Sequence, residues 1–142
     1  MNLAWYDVTT VIHAHLILSN SMTTDVAIEL GYRAADPYAV QANFTANGST
    51  TKWLLARDLF GQGLVATQDA GAGEGNVCIW RDEDPDYVLI TLTGAPGTAL
   101  LAAPAEPIER FVNATHKLVP FGSEGDRVGA EVGPFVASIL TV

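Results

Sequence analysis

Asp36-Pro37-Tyr38-Ala39-Val40, then Trp53-Leu54-Leu55-Ala56-Arg57-Asp58-Leu59, Gly63-Leu64 and Val77-Cys78-Ile79-Trp80 follow one another between Asp36 and Trp80. None of these is a metal, phosphate or nucleophile signature. Asp36-Pro37 breaks the chain before a strand, because a residue preceding proline avoids the α region. Tyr38, Val40, Ala42 and Phe44 then alternate onto one strand face. Asn47-Gly48 is a strong hairpin turn, and it leads into a strand at about Thr50–Ala56 that carries Trp53. Asp58 suits the cap of a short helix over Leu59-Phe60-Gly61-Gln62, with Gly63 in the αL position that closes it.

Upstream, Val11-Ile12-His13-Ala14-His15-Leu16-Ile17-Leu18 alternates with period two and ends at the turn signal Ser19-Asn20-Ser21. Val26, Ile28, Leu30 and Tyr32 fall on one face of a second strand. Downstream, Ala70-Gly71-Ala72-Gly73-Glu74-Gly75 reads as a flexible loop. Strands Asn76–Trp80 and Tyr87–Thr93 follow, joined by the acidic turn Asp82-Glu83-Asp84-Pro85-Asp86. The final third reads as helical. Gly94-Ala95-Pro96-Gly97 introduces a run over Thr98–Ala103 that Pro104 interrupts. Pro107 fits near the start of a longer helix with Ile108, Phe111, Val112 and Thr115 at helical spacing, and Val119-Pro120-Phe121-Gly122 ends it. Val132, Phe135, Val136, Ile139 and Leu140 form a last amphipathic pattern. No internal repeat is visible and no linker divides the chain, so 1–142 is expected to be a single domain.

At 142 residues, 49% hydrophobic and 16% charged, the chain can bury roughly 68–70% of its unfolded surface without a disulfide or metal staple. Its one cysteine, Cys78, lies in an apolar run, which excludes an internal disulfide and suits a reducing compartment. The N-terminus lacks the positive and apolar regions of a signal peptide. No apolar run reaches the ~18 residues of a membrane span. The sequons at Asn43, Asn47 and Asn113 read as chance matches in a chain without an export signal. A net charge of −9 and a pI of about 4.5 leave no basic cluster for phosphates. Nucleic-acid binding and membrane insertion are therefore not expected, and partners with positive surfaces are favoured.

The candidate chemical constellations all have simpler readings. His13 and His15 share a strand face without a third ligand. The carboxylates from Asp82 to Asp86 lack the glycine and glutamate of a calcium loop, since those positions hold Tyr87 and Thr93. The glycines from Gly71 to Gly75 lack the Lys-Ser/Thr of a phosphate loop, and no serine sits in a nucleophile elbow. No catalytic residue, metal or cofactor is expected. The aromatics Tyr38, Phe44, Trp53 and Trp80 could form a base-stacking sheet, but the Lys and Arg tracks are missing. Core or subunit-interface packing is the better reading.

The chain resembles the SsgA-like protein family of actinomycetes, most like its SsgB branch. The resemblance rests on Asp36 to Val40; Trp53 with Ala56-Arg57-Asp58-Leu59 and Gly63-Leu64; and Gly75-Asn76-Val77 leading to Trp80. Gly97 with Ala99-Leu100, Phe111 with Thr115, and Val119-Pro120-Phe121-Gly122-Ser123-Glu124 extend it. Arg81 departs from the family, where proline is common.

The resemblance implies a non-enzymatic cytoplasmic factor at the division septum, one that controls septum-site selection and sporulation-linked septation. Its implied partners are FtsZ, which it would recruit or stabilise, an SsgA-type paralogue, and itself. The implied fold is α+β and whirly-like: antiparallel, barrel-like β-sheets packed with C-terminal helices in a bell-shaped homotrimer. The alternative function is whirly-type single-stranded nucleic-acid binding. The motif and interface candidates are Asp36, Pro37, Tyr38, Trp53, Arg57, Asp58, Leu59 and Trp80. Arg57 is expected to pair locally or across subunits. A plain cap at Asp58, with Arg57 an unrelated surface charge, accounts for the same residues equally well.

Overall fold

The computed structural model describes residues 5–18, 22–68, 71–74, 76–95 and 97–125. Eight strands form one antiparallel sheet: β1 (Val8–Ile17), β2 (Thr23–Arg33), β3 (Asp36–Ala46), β4 (Ser49–Ala56), β5 (Ala72–Glu74), β6 (Val77–Arg81), β7 (Tyr87–Gly94) and β8 (Gly97–Pro104). Helix α1 (Arg57–Gly63) follows β4, and α2 (Ala105–Leu118) follows β8. The architecture is thus α+β, and the order ββββα occurs twice. The sheet order β4-β3-β2-β1-β8-β7-β6-β5 places the two meanders side by side, joined where β1 pairs with β8. The repeat invisible in the sequence is therefore present in the topology.

The sheet curls. Helix α1 contacts β3 and β4 at one edge and β5 and β6 at the other, which an open flat sheet could not allow. The inward residues of each strand fill the enclosed space. Ile12 and Ala14 of β1, Val26, Ile28 and Leu30 of β2, Val40, Ala42 and Phe44 of β3, Val88 and Ile90 of β7, and Leu101 and Ala103 of β8 are all buried. Alternation with period two is what allows one face to be apolar while the other carries His13, His15 and Asp25 into solvent. Helix α2 buries Ala105, Ile108, Phe111, Val112 and Thr115 and packs on β1 and α1.

Apart from Tyr38, the inward apolar residues expected on the second and third strands are buried, and β4 spans the expected Thr50–Ala56. At the expected β3–β4 hairpin, Asn47 and Gly48 both adopt positive φ, 52° and 78°, as a primed two-residue turn requires. Five expectations are corrected. Tyr38 does not share the buried face of Val40, Ala42 and Phe44; it is exposed. The pairing slips between Tyr32↔Val40 and Arg33↔Asp36, so a bulge turns Pro37 inward and Tyr38 outward. Asp58 does not cap α1: the N-cap is Ala56, without a side-chain hydrogen bond, and Asp58 lies exposed in the first turn, where its charge complements the helix dipole.

Gly63 is not an αL closure either, since Leu64 ends the helix in the αR region. Gly63 instead lies against β6, where a Cβ would come within 2.4 Å of Ile79 Cγ2. Glycine is there for close approach. Thr98–Ala103, read as helical, belongs to β8; good helix formers yield to a central position between β1 and β7. Within the expected loop from Ala70 to Gly75, Ala72–Glu74 form the short edge strand β5. The turn signal Ser19-Asn20-Ser21 and the amphipathic pattern from Val132 to Leu140 lie outside the described residues.

Candidate functional site

Arg57 is the most deeply buried charged side chain of the fold, at 1% exposure. It starts α1, which places its side chain between the end of α2 and the segment that follows. Nη1 donates to the carbonyls of Thr115 (3.2 Å) and Val119 (2.7 Å); Thr115 O also accepts the Val119 N–H that closes α2, and Val119 is the C-cap, past the last helical residue. Nη2 donates to the Glu124 carboxylate at 2.5 Å. The guanidinium also lies over the Tyr32 ring, 5.3 Å from its centroid. The Tyr32 hydroxyl, in turn, donates to the Pro37 carbonyl at 2.9 Å. One cation thereby joins β2, β3, α1, α2 and the chain beyond α2.

Glu124 closes a tight turn. Ser123 N–H donates to the Pro120 carbonyl, Ser123 Oγ donates to the same oxygen, and Gly122 N–H donates to Glu124 Oε2. Gly122 has φ of +89°, a value that glycine alone adopts readily. The turn holds Phe121 outward at 77% exposure, with its ring near His116. Backbone hydrogen bonding, with the Arg57 guanidinium adding to it, holds the Glu124 carboxyl below its usual range against the opposing effect of burial. Burial, then the nearby Arg57 charge, lowers His116 below 6.5, with Asp58 and Glu124 acting in the opposite sense.

This network brings together Arg57 and Pro37 from the sequence candidates, with buried Leu59 beside them on α1. The remaining candidates stand apart. Asp36 and Asp58 are exposed. Trp53 on β4 lines an apolar cleft of about 280 Å³ with Leu16, Phe44, Leu92 and Leu101, and its indole Nε1 is buried without a hydrogen-bond partner. Trp80 on β6 lines a second cleft at the far edge of the sheet, so the two tryptophans are not on neighbouring strands. Sequence reasoning missed Tyr32 and Glu124 as partners of Arg57. The available signal was generic: a buried arginine requires a carboxylate.

The guanidinium and carboxylate face each other and the backbone. Among the described residues, no group of three His, Cys, Asp or Glu side chains could hold a metal ion. Cys78 is a half-buried free thiol on β6. The His15 imidazole meets Asp25 at 3.3 Å on the outer face. What the arrangement can do is fix geometry: it locks both helices to the curled sheet and holds an aromatic turn rigidly at the surface.

Comparison with known proteins gives a consistent result. Residues 26–124 match the family described as Streptomyces sporulation and cell division protein, SsgA. The chain is 39% identical over 116 residues to the sporulation-specific cell division protein SsgB of Streptomyces coelicolor, covering 80% of this chain and 82% of that protein. It is 31% identical to SsgB of Thermobifida fusca, covering 85% and 87%. The fold superposes on a solved SsgB structure from S. coelicolor with a TM-score of 0.76 and 36% identity, covering 84% of this chain and 94% of that one. A solved SsgA-like sporulation-specific cell division protein from T. fusca gives 0.79 and 29%, covering 92% and 93%.

Proposed function

The chain belongs to the SsgA family of sporulation and cell-division proteins, and from that premise we propose that it is a scaffold selecting septum sites by recruiting or stabilising FtsZ. The family's proteins act in cell division and are not enzymes. The observation that carries the proposal is joint likeness: residues 26–124 match the SsgA family, and both sequence and fold resemble SsgB proteins over most of the chain.

Physical features support it. A scaffold needs a rigid frame, and the Arg57 network supplies one by spending a buried ion pair on orientation rather than on net stability. The scaffold acts as a homotrimer at the division septum, together with an SsgA-type paralogue. Trimerisation would multiply weak contacts with a filament through effective concentration. No helix among the described residues is long and apolar enough to cross a membrane.

Co-sedimentation with FtsZ polymers tests the proposal. Enrichment in the pellet above that of an unrelated acidic protein of similar size is expected; equal recovery of the two would sink it. The whirly-type alternative, single-stranded nucleic-acid binding, has to overcome a net charge of −9.

A further inference from the structure

A cleft of about 770 Å³ opens between the segment after α1 and the acidic turn between β6 and β7. Its apolar surface comes from Leu64, Val65, Trp80 and Leu89, and Asp82 and Glu83 stand on its rim. Its size falls within the ~300–1,000 Å³ of ordinary ligand sites. Val65 is 83% exposed, which leaves an apolar contact without cover.

Arg81 builds this cleft. Its Nε donates to the Pro85 carbonyl at 2.6 Å on one wall, and Nη1 donates to the Leu64 carbonyl at 3.1 Å on the other. Nη1 also meets Glu109 of α2 at 2.7 Å. The backbone adds further ties: Arg81 N–H donates to Ala66, Asp82 N–H to Tyr87, and Tyr87 N–H to Asp84. Both walls are thus fixed before anything binds, which reduces the ordering cost of binding.

The charges decide what fits. The Arg81 charge is already matched by Glu109. Asp82, Glu83, Asp84 and Asp86 form no ion pair with a described residue. The rim therefore repels phosphates and anionic lipid. A second copy of this chain is a poor occupant as well, because its seven Lys and Arg residues are scattered singly. We propose that the cleft between Val65 and Glu83 is a docking site for a short segment of another protein, one in which Lys or Arg residues flank an apolar side chain. The apolar side chain sits against Leu64, Val65 and Trp80, and the cations face the rim. The inference deepens the scaffold reading and rests on it only in supposing a protein partner.

The test uses the full chain and two fluorescein-labelled ten-residue peptides with the same leucine-phenylalanine centre, flanked either by lysine and arginine or by glutamate. Anisotropy should show micromolar binding of the cationic peptide, weakened by salt, and no binding of the anionic one. Reversing the rim with Asp82→Lys and Glu83→Lys should weaken the cationic peptide about tenfold or more. The exposed single variant Glu83→Lys should show the same direction. Asp25→Lys with Asp36→Lys, which changes net charge equally at exposed positions on β2 and β3, away from β6 and β7 in the sheet order, should leave affinity within about twofold.

Absence of binding to the unaltered protein, or equal weakening by the rim and control pairs, overturns the proposal. Neither peptide contains FtsZ sequence. A failed FtsZ sedimentation with a rim-dependent peptide therefore sinks the scaffold reading alone, and the converse result sinks the cleft alone.

Discussion

Arg57 and Glu124, 67 residues apart in sequence, pair side chain to side chain at 2.5 Å with both groups almost wholly buried. Removing either partner leaves a buried charge without its counterpart, which costs about 3–5 kcal/mol. Arg57→Leu and Glu124→Gln should each lower urea stability by amounts in this range. The double variant should cost clearly less than the sum, because the second change no longer strands a charge. Additivity of the two within about 0.5 kcal/mol would show that the pair is not coupled.

Two glycines of α1 should respond in opposite directions to the same substitution. Gly63→Ala drives a Cβ to within 2.4 Å of Ile79 Cγ2 and 2.6 Å of its Cβ. Overpacking of that kind costs about 1–3 kcal/mol. Gly61, two residues earlier and with nothing within 4 Å of its missing Cβ, should gain about 0.5–1 kcal/mol on conversion to alanine. Thermal melts of the two variants check the pair. A destabilised Gly61→Ala would contradict the open space beside it.

Acidification should weaken the fold in two stages. His116 is held below 6.5 in the folded chain, by burial first and Arg57 second. The unfolded chain therefore takes up that proton first, and stability falls as pH drops from 6.5 through the folded value. Glu124 is held below 4.5, by backbone hydrogen bonds first. Its contribution is present above 4.5 and is lost as pH drops through its folded value. Melting temperature against pH should decline across the first window and again across the second. His116→Gln should flatten the first decline and leave the second in place.

How much of this was legible in the sequence follows from the range of the forces involved. Strands β1 to β4 and helix α2 bury one face each, so periods of 2 and 3.6 residues reveal them. The strand β8 was hidden because Thr98–Ala103 is rich in alanine and leucine, and only its place between β1 and β7 makes it extended. Tyr38 was misplaced because a bulge near Arg33 is set by pairing with another strand. Arg57 was singled out, but Tyr32 and Glu124 reach it from 25 and 67 residues away. Spacing along the chain contains no trace of such contacts. Arg81 stood out as the departure from the family's usual proline, and it proves to be the side chain that ties both walls of the lateral cleft.

The turn after α2 should depend on its glycine more than on its phenylalanine. Gly122→Ala forces a side chain into φ of +89° and should cost about 1 kcal/mol or more. Phe121→Ser changes an exposed side chain and should stay within about 0.5 kcal/mol of the parent. Chemical denaturation separates the two. A large loss for Phe121→Ser would mean that its ring contact with His116 carries stability.

The proposed trimer makes a demand on the outer face of the sheet. Leu54 on β4 is 71% exposed and Val11 on β1 is 50% exposed, both pointing away from the buried side of their strands. Single exposed apolar residues are ordinary, so exposure alone argues little. Self-association would use such positions, because burying a leucine recovers about 1.5–3 kcal/mol. Light scattering of the 15.0 kDa chain should therefore give three times that mass. Leu54→Glu places a charge in the contact and should shift the population toward the single-chain mass, with the melting temperature at high dilution unchanged. A single-chain mass for the unaltered protein at every concentration would remove the trimer and the multivalent contact with FtsZ that depends on it. A trimer insensitive to Leu54→Glu would keep the assembly and move its interface to another face.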